Sequence, residues 1–217
     1  MQIYHLYKQH PNSLKMKKKL NLYIDGFNLY FGLRTYRREY KWLDLMAVGR
    51  LLCKPDEKLG EVYYFTANLV GPDKAKLRRQ KIYIEALKET GVKVVFGKYL
   101  KKPVYCKSCK VTSTTYEEKE SDVNLATQIM LDACAGNGHT FAVISADSDL
   151  ILPMLEAKAT YGRNVLPVFP PKRHSKEIKA RIGKHYALGE ALLKKCQLPN
   201  AITKADGYTL QRPKKWS

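Results

Sequence analysis

No run of apolar residues in this sequence approaches the ~18 needed to span a bilayer. A membrane-spanning protein is therefore not expected. The basic N-terminus MQIYHLYKQHPNSLKMKKKL has neither an apolar central region nor a small-residue cleavage site, so it does not read as a secretory signal. Residues 1–18 read as an N-terminal extension. The first fifteen could be dispensable, or upstream sequence preceding Met16 as the true start. Cysteine is scarce and odd in number, at Cys53, Cys106, Cys109, Cys134 and Cys196, which argues against a disulfide framework and for the reducing cytoplasm. No internal repeat is visible. Acidic residues are few, 20 Asp and Glu against 39 Lys and Arg.

The resulting formal charge of +19 is unevenly spread. Residues 158–217 hold fourteen Lys and Arg against three Asp and Glu. Such a surface attracts polyanions, chiefly nucleic acid, by releasing their counterions. Solubility or an anionic membrane surface would need the same charge, so charge alone does not name the partner.

Apolar runs alternate with helical patterns. Strands are expected at 20–24, 62–67, 92–99, 141–144 and 164–169. Helices are expected at 29–35, 43–53, 73–90, 121–134 and 149–160, with one or two more over 175–197. Strands separated by helices imply a parallel sheet covered on both faces, an α/β fold. The polar stretch 100–119 reads as an insertion or flap, and 199–217 as a coil-like basic tail.

The informative acids fall at strand ends. Asp25 closes the first strand in LNLYIDGFN, and Asp147 and Asp149 follow FAVIS in ISADSDL. Asp122 opens a helix in EEKESDVNLA. Ligands of open α/β sheets bind at the carboxyl ends of strands. Carboxylates brought to one place repel unless one is protonated or a cation joins them. Hard cations such as Mg2+ and Mn2+ prefer carboxylate and water oxygens. Each acid also has an ordinary reading: Asp147 or Asp149 as a helix cap, Asp25 as part of a turn, Asp122 as a first-turn acid favoured by the helix dipole. Metal binding rests on their coincidence.

The segments IDGFNL, EKESDVNLA and ISADSDLILPML, followed by YGRNVLPVF, resemble the NYN family within the PIN-like nuclease group, including its LabA-like bacterial members. The resemblance covers roughly Leu20 to Phe169. It implies a Rossmann-like three-layer α/β/α sandwich with a mainly parallel sheet over residues 19–198. It also implies a Mg2+- or Mn2+-dependent ribonuclease site. Asp25, Asp122, Asp147 and Asp149 match the family's acids, as catalytic residues and metal ligands, and Asn28 its orienting asparagine. Glu120 departs from the small residue common there and is expected to face solvent. The expected reaction is hydrolysis of phosphodiesters in RNA, most naturally single-stranded. The alternative is a nucleic-acid-binding regulatory module with little or no cleavage activity.

Ser145 and Ser148 could hydrogen-bond the carboxylates or a phosphate, or only cap. Lys119 could stabilise phosphate charge, or only face solvent. Cys106 and Cys109 have zinc-knuckle spacing, but no second CxxC and no HxxxH accompanies them. Cys134 is expected on the core side of its helix. Zinc would then need ligands from a second chain, in a homodimer; a redox pair and no special role stay open.

Overall fold

The computed structural model describes residues 17–216. In chain order the strands are β1 (Lys18–Asp25), β2 (Glu57–Ala67), β3 (Lys93–Tyr105), β4 (Thr112–Lys119), β5 (Thr140–Ile144), β6 (Asn164–Phe169), β7 (Tyr186–Ala187), β8 (Ala201–Thr203) and β9 (Thr209–Gln211). The α-helices are α1 (Gly26–Tyr36), α2 (Leu45–Leu52), α3 (Lys74–Glu89), α4 (Ser121–Ala135), α5 (Ile151–Ala159), α6 (Lys176–Ile182) and α7 (Glu190–Lys195). No helix among the described residues is long and apolar enough to cross a membrane.

Seven strands form one sheet in the order β4-β3-β2-β1-β5-β6-β7. All neighbours run parallel except β4, which is antiparallel to β3. The sequence KKLNLYID reads as a near-continuous apolar run because β1 is central and covered on both faces. Alternation then sorts its side chains. Leu20, Leu22 and Ile24 enter one core with α1, α2 and α3. Tyr23 enters the other with Phe141 and Val143 of β5, Leu125 of α4 and Met154 of α5. This is a three-layer sandwich with a Rossmann-like sheet. Strand order reverses between β1 and β5, which makes their carboxyl ends the crevice of the fold.

Strand β2 starts at Glu57 rather than 62, the short strand β7 interrupts the helices read over 175–197, and two further segments differ most from their sequence reading. The flap is an extension of the sheet: β3 continues to Tyr105, turns, and returns as β4. Its alternation is hard to see in sequence because an edge ribbon with little to bury carries polar residues on both faces. The tail is not coil. β8 and β9 pair as a hairpin, and the following turn buries Trp216 against Trp42 and Tyr83, with ring centroids 6.4 and 5.9 Å away. A Trp inserted between two buried rings orders a short, highly charged segment that has few other apolar groups. Of the extension read over residues 1–18, residues 1–16 lie outside the described residues, and Lys18 already belongs to β1.

Gly97 lets the ribbon meet the helix that follows it. A Cβ there would collide with the Lys119 carbonyl and approach Ser121 N to 2.9 Å. Gly97→Ala is expected to lower stability by ~1–3 kcal/mol, the usual cost of forcing atoms into a packed contact. Urea unfolding measures this, and a loss under ~0.5 kcal/mol would show that the approach is not tight.

Candidate active site at the strand crevice

Asp25 ends β1 and begins α1. Its Oδ1 accepts from Asn28 N at 2.9 Å, so it caps the helix, while its Oδ2 accepts from Ser145 Oγ at 2.9 Å. Ser145 Oγ in turn accepts from Asp147 N at 3.0 Å. The Asn28 side-chain oxygen accepts from Ala146 N at 3.2 Å. Two short side chains thus tie the end of β1 to the loop after β5, across 118–120 residues of sequence.

Asp147 Oδ1 accepts from Asp149 N at 3.0 Å and caps the one-turn 3-10 helix Ser148–Leu150. The capping role therefore belongs to Asp147. Asp149 is exposed, with its carboxylate outside that cap, and Ser148 is exposed beside it. The helix α5 starts only at Ile151.

Asp122 lies in the first turn of α4, half-buried. Burial pushes its carboxyl up to about 7, assisted by the charges of Asp25, Glu118, Asp147 and Asp149. Asp25 is 6% exposed, and burial raises it to about 6, with Asp147 and Glu118 adding to the rise. Asp122 feels the charges of the other three acids expected from sequence, and a fifth acid adds to them. Glu118 on β4 accepts from Ser121 N at 3.1 Å and faces the same crevice. Sequence reading missed it because it weighed Glu120 instead. The available signal was strand alternation in TSTTYEEK, which places Glu118 opposite to Glu117 and Lys119. Lys119 pairs with Glu117 at 2.9 Å on that other face and is not brought to the acids. Glu120 has φ of 76° and pairs with Lys98 at 2.8 Å, largely exposed.

These raised carboxyls carry a pH signature. An unfolded aspartate titrates near ~3.9. The folded state therefore binds more protons than the unfolded one from ~4 up to about 7. Stability is greatest below that window and falls as pH rises through it. Glu190, held down to about 2 by hydrogen bonds from Tyr36, Lys194 and Tyr40, acts with opposite sign at lower pH. In chelator the thermal midpoint is expected to fall between about pH 5 and 7.5, with Asp25→Asn flattening the curve. A midpoint that rises over this interval would refute the mutual repulsion of the acids.

The donor chemistry fits a hard divalent cation: every group is a carboxylate, and two of them are raised by burial and by the charges of the others. Among the described residues no three His, Cys, Asp or Glu side chains are drawn together closely enough to hold a metal ion as they stand. An ion here would keep waters in its shell, as Mg2+ commonly does.

Cys106 and Cys109 occupy the exposed turn of the β3–β4 ribbon. Hydrogen bonding from Cys109, through backbone and side chain, lowers the Cys106 thiol. No group of three metal-ligating side chains forms around them among the described residues. Cys134 is exposed rather than facing the core, because α4 turns Leu125, Ile129 and Ala133 inward instead.

The NYN domain, a PIN-like nuclease family, matches residues 19–187. The 6-hydroxy-3-succinoylpyridine 3-monooxygenase of Pseudomonas putida is 25% identical, with 85% of this chain and 71% of that protein covered. The crystal structure of a Vibrio parahaemolyticus protein of unknown function superposes with a TM-score of 0.59 at 16% identity. That match covers 84% of this chain and 98% of the other.

Proposed function

The chain belongs to the NYN domain family, and on that premise we propose that it is a metal-dependent ribonuclease cutting phosphodiesters at the crevice between β1 and β5. The observation that carries this reading is the tie of Asp25 through Ser145 to the Asp147 loop, with the charges of Glu118, Asp122, Asp147 and Asp149 felt within the same crevice, in a chain whose net charge is +19. A carboxylate cluster alone would repel RNA. Positive charge elsewhere on the surface draws the polyanion in.

Asp25, Asp122 and Asp147 would hold Mg2+ or Mn2+, with Asp149 and Glu118 close enough to share the charge. The cation, when bound, supplies charge neutralisation at the phosphoryl group and acidifies water. Ser145 fixes the orientation of the Asp25 carboxylate, and Asn28 holds the Asp147 loop against it. Phe27, Tyr99 and Tyr116 stack in a ladder, with centroids 6.1 and 6.2 Å apart and planes within 11°. Such faces suit unpaired bases, which favours single-stranded RNA. Lys172 and Arg173, beyond β6, lie over Tyr36 and Phe31 and extend the basic surface. The pyridine monooxygenase activity in the Pseudomonas putida relative's name belongs to that protein; the all-carboxylate crevice here supports hydrolysis.

Purified protein with Mn2+ and end-labelled single-stranded RNA tests the proposal. Cleavage that chelator abolishes is expected. Salt-sensitive RNA binding without cleavage in any divalent metal would replace it with the regulatory binding module.

A further inference from the structure

A second site opens beside the acids. Gly26 and Phe27, which directly follow Asp25, line a cavity of about 80 Å³ between α1, α3 and β2. That is several times the ~10–15 Å³ that admits one water. Its walls are aromatic and include Tyr30, Tyr64, Tyr99 and Trp216. Lys41, Lys76 and Arg79 line it as well, and among the described residues no acidic side chain does.

Lys41 is the informative member. It is 7% exposed, in a protein where lysine is normally solvated. Its ammonium lies 4.3 Å from the centre of the Tyr30 ring. No ion pair among the described residues involves it. Burial lowers it to about 8, and the nearby charges of Arg34, Arg38, Arg79 and Lys215 push it the same way. A buried cation among other cations is costly unless an anion completes the group. One aromatic face offsets only part of that cost.

The structure assigns this cavity to a phosphate group: at about 80 Å³ it does not enclose a base as well, and we propose that it takes the phosphate of one unpaired nucleotide of the RNA next to the scissile bond on Lys41 and Arg79, with the base left at its mouth. The choice of a nucleotide rests on the nuclease reading of the adjacent crevice. The cavity, and a buried Lys41 with no acidic side-chain partner among the described residues, do not. Tyr64 joins the two sites: it lines the cavity, pairs with Ile24 in the sheet, and feels the charge of Asp25.

The test uses the full chain in chelator, with Trp216 and its neighbour Trp42 as fluorescent reporters. Nucleoside 5′-monophosphates are titrated beside the matching nucleosides and benzoate. Saturable binding of the monophosphates is expected. Lys41→Met should weaken it at least ~10-fold, as expected for losing a hydrogen bond to a charged group. The nucleoside should bind wild type and Lys41→Met alike, because its phosphate is already gone. Arg79→Gln, on a half-exposed helix position, should act in the same direction and guards against misfolding of the first variant. Equal monophosphate binding by wild type and both variants overturns the proposal. So does the absence of saturable binding, or benzoate binding as tightly as the monophosphates. RNA cleavage dependent on Asp25 together with any of these results removes the pocket and leaves the nuclease. Phosphate-dependent binding without RNA cleavage removes the nuclease and leaves a nucleotide site.

Discussion

Asp25→Asn is expected to reduce Mn2+-dependent RNA cleavage by ~10³-fold, since a bound cation is worth several kcal/mol of transition-state stabilisation and each ~1.4 kcal/mol is tenfold. The substitution is nearly isosteric. An amide oxygen can still accept from Asn28 N and keep the cap of α1. The amide cannot carry the charge that a cation needs. Asp25 is also among the most buried of the acids and the one tied to Ser145, so its position is the least adjustable. Loss of activity should come without loss of fold. In chelator near neutral pH the variant should be at least as stable as wild type, because burial already raises this carboxyl to about 6. RNA binding should persist, since it rests on the basic surface. Cleavage within ~3-fold of wild type, measured at saturating Mn2+, would sink the assignment of Asp25 as a metal ligand.

The largest expected stability effect lies at the other end of the chain. Trp216→Ala should cost ~3–5 kcal/mol, the range for emptying a buried aromatic site. For a chain of this length that lowers the thermal midpoint by about 10 °C. Trp216 is 6% exposed and meets Tyr83 edge to face. Its carbonyl accepts from Arg212 Nη2 at 2.6 Å, and the same nitrogen donates to the Glu39 carbonyl at 2.6 Å. The residue therefore joins the C-terminal hairpin to the segment between α1 and α2. A solvated tail would give a change within ~0.5 kcal/mol. Thermal and urea unfolding separate the two outcomes.

The central sheet was legible because its strands are buried on both faces and bounded by clear stops. FAVI and NVLPVF were placed to within a residue, and Gly136 does close α4, with φ of 73°. The strand-end acids were legible for the same reason: a parallel sheet collects strand ends on one side. Legibility failed where burial is one-sided or borrowed. Glu118 belongs to an edge ribbon with no apolar alternation, so its period of two separates it from Glu117 and Lys119 without saying which of the two faces meets the crevice. Trp216 is buried by Trp42 and Tyr83, residues more than 130 positions away, and no window of sequence contains both. Lys41 reads as one more surface lysine until the fold encloses it. The CxxC turn was visible as spacing, and its partners, if it has any, are not a property of spacing.

The tie between Asp25, Ser145 and the Asp147 loop has a consequence for how the protein comes into being. Half of the crevice is translated about 120 residues before the other half. N-terminal elements form first during synthesis, and contacts this distant in sequence close late. On the nuclease reading, a nascent chain therefore lies beside ribosomal and messenger RNA while the proposed site is still in two pieces. Only insertion of β5 next to β1 joins them, so on the nuclease reading the site is withheld until the chain has been made through the Asp147 loop.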